Sequence, residues 1–223
     1  VLDNSWATPL YQQPLTMGVD VVVHSGTKYI AGHSDVVVGL LACNAGHYKT
    51  IKPVAELLGA NLSPDDAYLV TRGLRTMPVR LARLEESGLA VARWLQTRPE
   101  VRQVLHPGLP DFPGYELGRS QMQGSSSLFA FKLHPAGEKA RHAFVDALQL
   151  FLIAVSWGGF ESLILPVGAS FKNQPQVRQQ MELDDDTFRI CIGLEAVSDL
   201  IADLEGGFAA RAAAINGDAP AGS

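Results

Sequence analysis

Apolar residues run without alternation through VDVVVHS (19–25) and again through VVVGLLACN (36–44), and Ser-Gly or Asn stops each run. Runs of this kind suit strands covered on both faces of a parallel or mixed sheet. The chain opens with a similar stub, VLD, and an Asp ends it. Val1-Leu2 reads as the interior of a buried strand, so a natural N-terminal part is expected before it. Helical spacing follows from about Gly46 to Leu58. A longer helical segment begins at Ser63, a suitable N-cap, with Pro64 at the first helical position and Asp66 three residues on. Leu81, Leu84, Gly88, Val91 and Leu95 keep to one face of it, and such a helix is long enough to bridge two domains.

Beyond residue 100 the pattern changes. VRQVLHP, SSSLFAFKL, LFLIAVSW and TFRICIGL read as strands, with helices expected at about 136–149 and 197–215, the latter starting near Ser198. That layout is a small α+β domain, a sheet with helices on one face. The expected division is therefore residues 1–75, the remainder of a large α/β domain, and 76–223, a small α+β domain. LDDDTF reads as a solvated loop before a strand, and the terminal NGDAPAGS as a fraying tail.

Composition narrows the function classes. The 223 residues are 47% hydrophobic and 18% charged, ordinary for a folded protein. A net charge of −5 gives no basic footprint for nucleic acid. No apolar run reaches the roughly 20 residues that span a bilayer, and a cytoplasmic location is expected. The two cysteines, Cys43 and Cys191, lie in apolar segments and read as reduced core residues. They imply neither a disulfide framework nor a metal site.

One lysine disturbs this bland picture. Lys28 follows a buried strand directly, where desolvating an unpaired ammonium costs several kcal/mol. Snorkelling to solvent is the ordinary explanation. The other is chemical, because a lysine amine condenses with an aldehyde cofactor such as pyridoxal phosphate. Such a site needs a carboxylate for the pyridine nitrogen, hydroxyls for the phosphate and a cation for the substrate carboxylate. Asp3 ends the first strand stub 25 residues before Lys28 (28 − 3), and Ser25 and Thr27 flank the turn. None of these is specific alone.

Together they sit in DVVVHSGTKYIAGHSD (20–35), which resembles the cofactor-attachment signature of the Cys/Met-metabolism family of pyridoxal-phosphate enzymes. Asp20, Val21, Ser25, Gly26, Thr27, Lys28, Tyr29, Ile30, Gly32, His33 and Ser34 all fit that pattern. DNSWATP, TRGLRTMPVRL, SWGGFESLI and RICIGLE are similar to further landmarks of the family, in register along the chain. The resemblance implies the C-terminal part of a fold-type I enzyme. Lys28 would anchor the cofactor and move protons, Asp3 would pair with the pyridinium, and Ser25 and Thr27 would bind the phosphate. Arg189 would grip the substrate α-carboxylate, with Ser156 and Trp157 shaping that pocket. His33 and Tyr29 would pack around the site. A homotetramer is implied for the full-length enzyme, with further site residues N-terminal to Asp3.

The residue before Ser156 divides the family. The γ-acting members typically read Glu-Ser-Leu-Gly-Gly, whereas this chain has Val155-Ser156-Trp157-Gly158-Gly159. That is similar to the β-cleaving branch, whose substrate is an amino-acid thioether such as L-cystathionine. A γ-acting enzyme, a general cysteine-S-conjugate lyase and a catalytically silent binding protein remain the alternatives.

Overall fold

A computed structural model describes residues 1–171 and 173–217. The expected tail thus lies outside the described residues from 218 onward. What precedes it is the end of a helix, closed by Gly217 at φ 80°.

The fold is mixed α/β with two sheets. In the first, β1 (Leu2–Asp3) runs parallel to β2 (Val21–Ser25), and β3 (Gly39–Cys43) runs antiparallel on the other side of β2. Helix α1 (Thr8–Tyr11) and a 3-10 turn at Pro14–Met17 connect β1 to β2. β3 is shorter than its apolar run. Val38 leaves the sheet because its N–H donates to the Thr27 hydroxyl at 2.8 Å, while its carbonyl accepts the Thr27 N–H at 3.3 Å. Val36 and Val38 instead join a core with Tyr29, Ile30 and Ala31.

Helix α2 (Ala45–Leu57) is capped by Asn44, whose side chain accepts from the His47 N–H. It buries none of its residues, and Leu57 is 86% exposed. Helix α3 (Pro64–Gln96) starts where the sequence predicts, with the Ser63 hydroxyl accepting from the Asp66 N–H at 3.1 Å. Its first two-thirds give Val70, Met77, Leu81 and Leu84 to the core around Tyr29. Its last third gives Val91, Ala92 and Leu95 to the other core. One uninterrupted helix therefore serves both sheets, and the expected border at 75/76 falls inside it.

The second sheet is built from β4 (Val101–Leu105), β5 (Leu128–Leu133), β6 (Leu152–Ile153), β7 (Leu163–Pro166) and β8 (Thr187–Cys191), in the order β4-β5-β8-β7-β6. Its helices are α4 (Tyr115–Gln121), α5 (Glu138–Asp146), the short α6 (Val167–Ser170) and α7 (Pro175–Gln180), and α8 (Val197–Asn216). Phe131 lies opposite Phe188 across β5 and β8, and their rings stack at 5.4 Å. Phe144 of α5 and Phe208 of α8 extend that aromatic stack. Side chains alternate along a strand, so Arg189 and Cys191 project from the face of β8 opposite Phe188 and Ile190.

Several expectations are refined here. LFLIAVSW holds only the two-residue strand β6, because the chain turns away before Ser156 at φ 78°. Helix α8 begins at Val197, as expected, and the Ser198 hydroxyl in its first turn bonds Asp199. LDDDTF is a loop before β8 as expected, but it is only partly solvated, because Asp186 is buried and all three carboxylates are paired. Asp184 pairs with Arg102, Asp185 with Arg178, and Asp186, 8% exposed, with Arg141 at 3.2 Å. Both cysteines are free, but only Cys191 is buried, and Cys43 is half-buried at the end of β3.

Candidate active site

β1 and β2 are parallel, with Asp3 opposite Val23, so their C-terminal ends open on the same edge of the sheet. That edge is where open α/β sheets bind ligands. Asp3 sits there with its carboxylate accepting the Ser5 hydroxyl at 2.6 Å and the Ser5 N–H at 2.9 Å. These bonds hold its pKa below the ordinary carboxylate value, with a further pull from His24. The Ser5 hydroxyl in turn accepts the Ser25 N–H at 2.6 Å, which ties Asp3 to the end of β2.

The chain then makes a helix-like turn. Ser25 O accepts from Lys28 N, Gly26 O from Ala31 N, and Lys28 O from Gly32 N. Lys28 projects from this turn, and its ammonium donates to the Ser156 hydroxyl at 2.7 Å. The same nitrogen stands 5.3 Å from the centre of the Trp157 ring. Partial burial and the nearby Arg189 cation lower the Lys28 pKa, in that order of size. Neutral amine is therefore more accessible at Lys28 than at an exposed lysine.

Arg189 comes from β8, and its guanidinium donates to the Ser156 carbonyl at 2.9 Å. Among the described residues it forms no ion pair, so its charge is available to an anion. Burial lowers its pKa. The Ser156–Gly158 loop lies hard on the lysine turn. Gly158 has φ 86°, and a Cβ there would meet the backbone of Lys28 and Tyr29 at 3.0 Å. Lys28, Ser156, Trp157 and Arg189, from three separate parts of the chain, are thus in one place, with Asp3 and Ser25 at the strand ends beside it. Thr27 differs from the expectation of a free phosphate donor, since its hydroxyl is engaged with Val38 in both directions. Tyr29 is fully buried against Trp157, whereas His33 is exposed and bonds the Ala31 carbonyl.

Residues that the sequence reading passed over hold these groups. The Glu195 carboxylate accepts both the N–H and the hydroxyl of Ser162, and that hydroxyl accepts the Gly193 N–H at 2.9 Å. This fastens the end of the Trp157 loop to the segment following β8. Ser34, just past the lysine turn, donates to Glu161 at 2.5 Å. Arg80 of α3, 7% exposed, reaches the carbonyls of Tyr29 and Ile30. Its spacing from Met77, Leu81 and Leu84 puts it on the buried face of α3, a signal readable from sequence.

No cluster of His, Cys, Asp and Glu among the described residues is arranged to hold a metal ion. No helix among them is long and apolar enough to cross a membrane.

Comparison with known proteins gives a consistent result. The profile of the Cys/Met metabolism PLP-dependent enzyme family matches residues 1–209. Cystathionine beta-lyase MetC of Escherichia coli is 43% identical over 216 residues, covering 94% of this chain and 53% of that protein. Cystathionine gamma-synthase of Mycobacterium tuberculosis is 41% identical over 206 residues, covering 92% of this chain and 53% of that protein. The crystal structure of cystathionine gamma synthase from Xanthomonas oryzae pv. oryzae, in complex with cystathionine, superposes with a TM-score of 0.90 at 39% identity. That match covers 96% of this chain and 56% of the other. The chain spans about half the length of the relatives it matches. Both β- and γ-acting enzymes appear among them. The chain belongs to the Cys/Met-metabolism family of pyridoxal-phosphate-dependent enzymes.

Proposed function

We propose that this chain carries the lysine and substrate-binding part of a carbon–sulfur β-lyase of the cystathionine β-lyase type. It would convert L-cystathionine to homocysteine, pyruvate and ammonia, a step of methionine biosynthesis. The observation that carries this reading is the wall facing Lys28. Ser156 and Trp157 approach its ammonium, and Val155 stands where the γ-acting members typically have Glu.

The residues suit pyridoxal phosphate. Lys28 offers an amine of lowered pKa, and Asp3 a carboxylate held ionised at the end of the neighbouring parallel strand. Ser25 supplies a hydroxyl for the phosphate, and Thr27 another if it turns from Val38. When bound, the cofactor supplies an electron sink that stabilises the charge left on the substrate α-carbon. Arg189 would bind the α-carboxylate through its planar fork. Lys28 would take the α-proton as its amine and later return a proton as its ammonium. Ser156 would steer the Lys28 nitrogen, and Trp157 would keep water from the departing thiolate. In the same reading residues 1–75 belong to the cofactor domain and 76–223 to the small domain. The full-length enzyme would be a cytoplasmic homotetramer.

The test is product identity. The full-length protein given L-cystathionine and pyridoxal phosphate should release pyruvate well above 2-oxobutyrate. Predominant 2-oxobutyrate would move the assignment to a γ-lyase, and no turnover of any cysteine thioether would leave a binding protein of this fold.

A further inference from the structure

Arg80 is a buried cation bonded to four neutral oxygens. Its Nε donates to the Thr76 hydroxyl at 3.0 Å, one Nη to the Tyr29 carbonyl at 2.9 Å, and the other to Gly73 O at 2.7 Å and Ile30 O at 3.3 Å. Among the described residues it forms no ion pair, and burial lowers its pKa. A buried guanidinium facing only neutral acceptors is expensive to keep, so what it holds is informative.

It holds the open end of the lysine turn. The turn from Ser25 stops at Gly32, which adopts φ 69°, so its last carbonyls have no backbone N–H of the turn to accept from; that of Ala31 meets the His33 ring. Two of them, on Tyr29 and Ile30, point at the guanidinium, and the negative end of a helical turn favours such a cation. The two partners are also shaped to each other. A Cβ on Gly32 would overlap the Arg80 guanidinium, and one on Gly73 would overlap the Ala31 carbonyl. Glycine at both positions lets α3 approach the turn closely enough for the two bonds to Tyr29 and Ile30.

We propose that Arg80 is a positioning residue for Lys28, fixing the turn that carries it through the consecutive carbonyls of Tyr29 and Ile30. This role rests on the functional reading above, in which Lys28 must meet both the cofactor aldehyde and the substrate α-proton. A displacement of about 1 Å at such a group costs on the order of 100-fold in rate. The donors of Arg80 are taken up by protein oxygens, so it would act through the turn and not on cofactor or substrate.

The experiment compares the full-length parent with Arg80→Met and with the milder Thr76→Val, which removes the Nε acceptor, and with it the hydroxyl's bond to the Gly73 carbonyl, but leaves the guanidinium in place. Amide hydrogen exchange, measured without added cofactor, should speed up at Ala31 and Gly32 in both variants, more in Arg80→Met. With pyridoxal phosphate bound, the pH midpoint of its visible absorbance should move. With L-cystathionine, kcat should fall about 10- to 100-fold in Arg80→Met while KM stays within about threefold. Thr76→Val decides the matter if Arg80→Met does not fold. Unchanged exchange at Ala31 and Gly32 overturns the clamp. Faster exchange with kcat and the absorbance midpoint unmoved leaves a purely structural clamp and overturns the positioning role. A parent protein that never forms a borohydride-reducible adduct on Lys28 refutes the functional reading itself. That failure is seen before any variant is made, and the positioning role falls with it.

Discussion

Lys28 donates to the hydroxyl of Ser156 across 2.7 Å, although 128 positions separate them in the chain. The contact joins the first sheet to the second at the point where the chemistry is proposed. Ser156 can do this because its backbone takes φ 78°, an unusual value for a residue with a side chain. Arg189 then holds the same residue by its carbonyl.

Arg189 therefore acts on both substrate and lysine. Arg189→Leu should lower kcat/KM for amino-acid substrates about 10- to 150-fold, the equivalent of charge-assisted bonds of about 1.5–3 kcal/mol. Removing the cation should also raise the Lys28 pKa, since Arg189 is one of the two influences that depress it. The pH dependence of Lys28 modification by an amine-directed reagent measures this. Unchanged kinetics and an unchanged midpoint would contradict both roles.

His106 gives a prediction about acid stability. It is fully buried, its Nδ1 accepts the Gly108 N–H at 2.9 Å, and burial pushes its pKa down to about 4. Unfolded, it titrates at about 6.5. The fold therefore gains from neutral His106 above pH 6.5, and loses that gain as pH falls from about 6.5 through about 4. The loss is roughly 3 kcal/mol for a gap of about 2.5 units. Urea melts across this range should show a shallower acid decline in His106→Asn. Parallel pH profiles for the two proteins would refute the assignment.

The ion pair of Arg141 with Asp186 should matter more than its exposed counterparts. Both side chains are 11% exposed, and Asp186 would be left buried and unpaired without its partner. Arg141→Met should cost about 3 kcal/mol in unfolding free energy. Arg83→Met, at the exposed 3.5 Å pair with Glu86, should cost at most about 0.5 kcal/mol. Equal losses would mean that water screens both pairs alike.

The outer face of the first sheet predicts how the 223-residue chain behaves alone. Leu41 of β3 is 50% exposed, and Val54, Leu57 and Leu58 on and after α2 are 52%, 86% and 77% exposed. Apolar surface of this extent normally meets a partner. The chain expressed by itself should associate or precipitate and show at most traces of lyase activity. A monodisperse monomer in light scattering, turning over at the full-length rate, would contradict this.

Where local chemistry decides the structure, the sequence was a sufficient guide. Ser63, Pro64 and Asp66 announce α3, and the valines before Ser25 announce β2. The signature around Lys28 led to Asp3, Ser156, Trp157 and Arg189 by resemblance, and the fold brings the last three to the lysine. What stayed hidden depends on distant partners. Thr27 draws Val38 out of the expected strand, and three arginines from separate elements occupy the Asp184–Asp186 loop. Arg80 is legible as a charge on the apolar face of a helix, but its two acceptors in the lysine turn lie about 50 positions away. β7 gives little signal in the sequence, because LILP is short and ends in proline.

The continuity of α3 has a consequence for dissecting the molecule with proteases. No loop lies near 75/76, so limited proteolysis cannot part the two sheets there. The mostly exposed connection at 58–63, with Gly59 at φ 65°, is the weak point on that side. A nick there would free α2 from α3 in the covalent sense only. The piece bearing Lys28 would still be tethered by the Arg80 bonds and by the packing of Tyr29, Ile30 and Ala31 against Met77, Leu81 and Leu84. The cut protein should travel as one particle and separate into two only in denaturant.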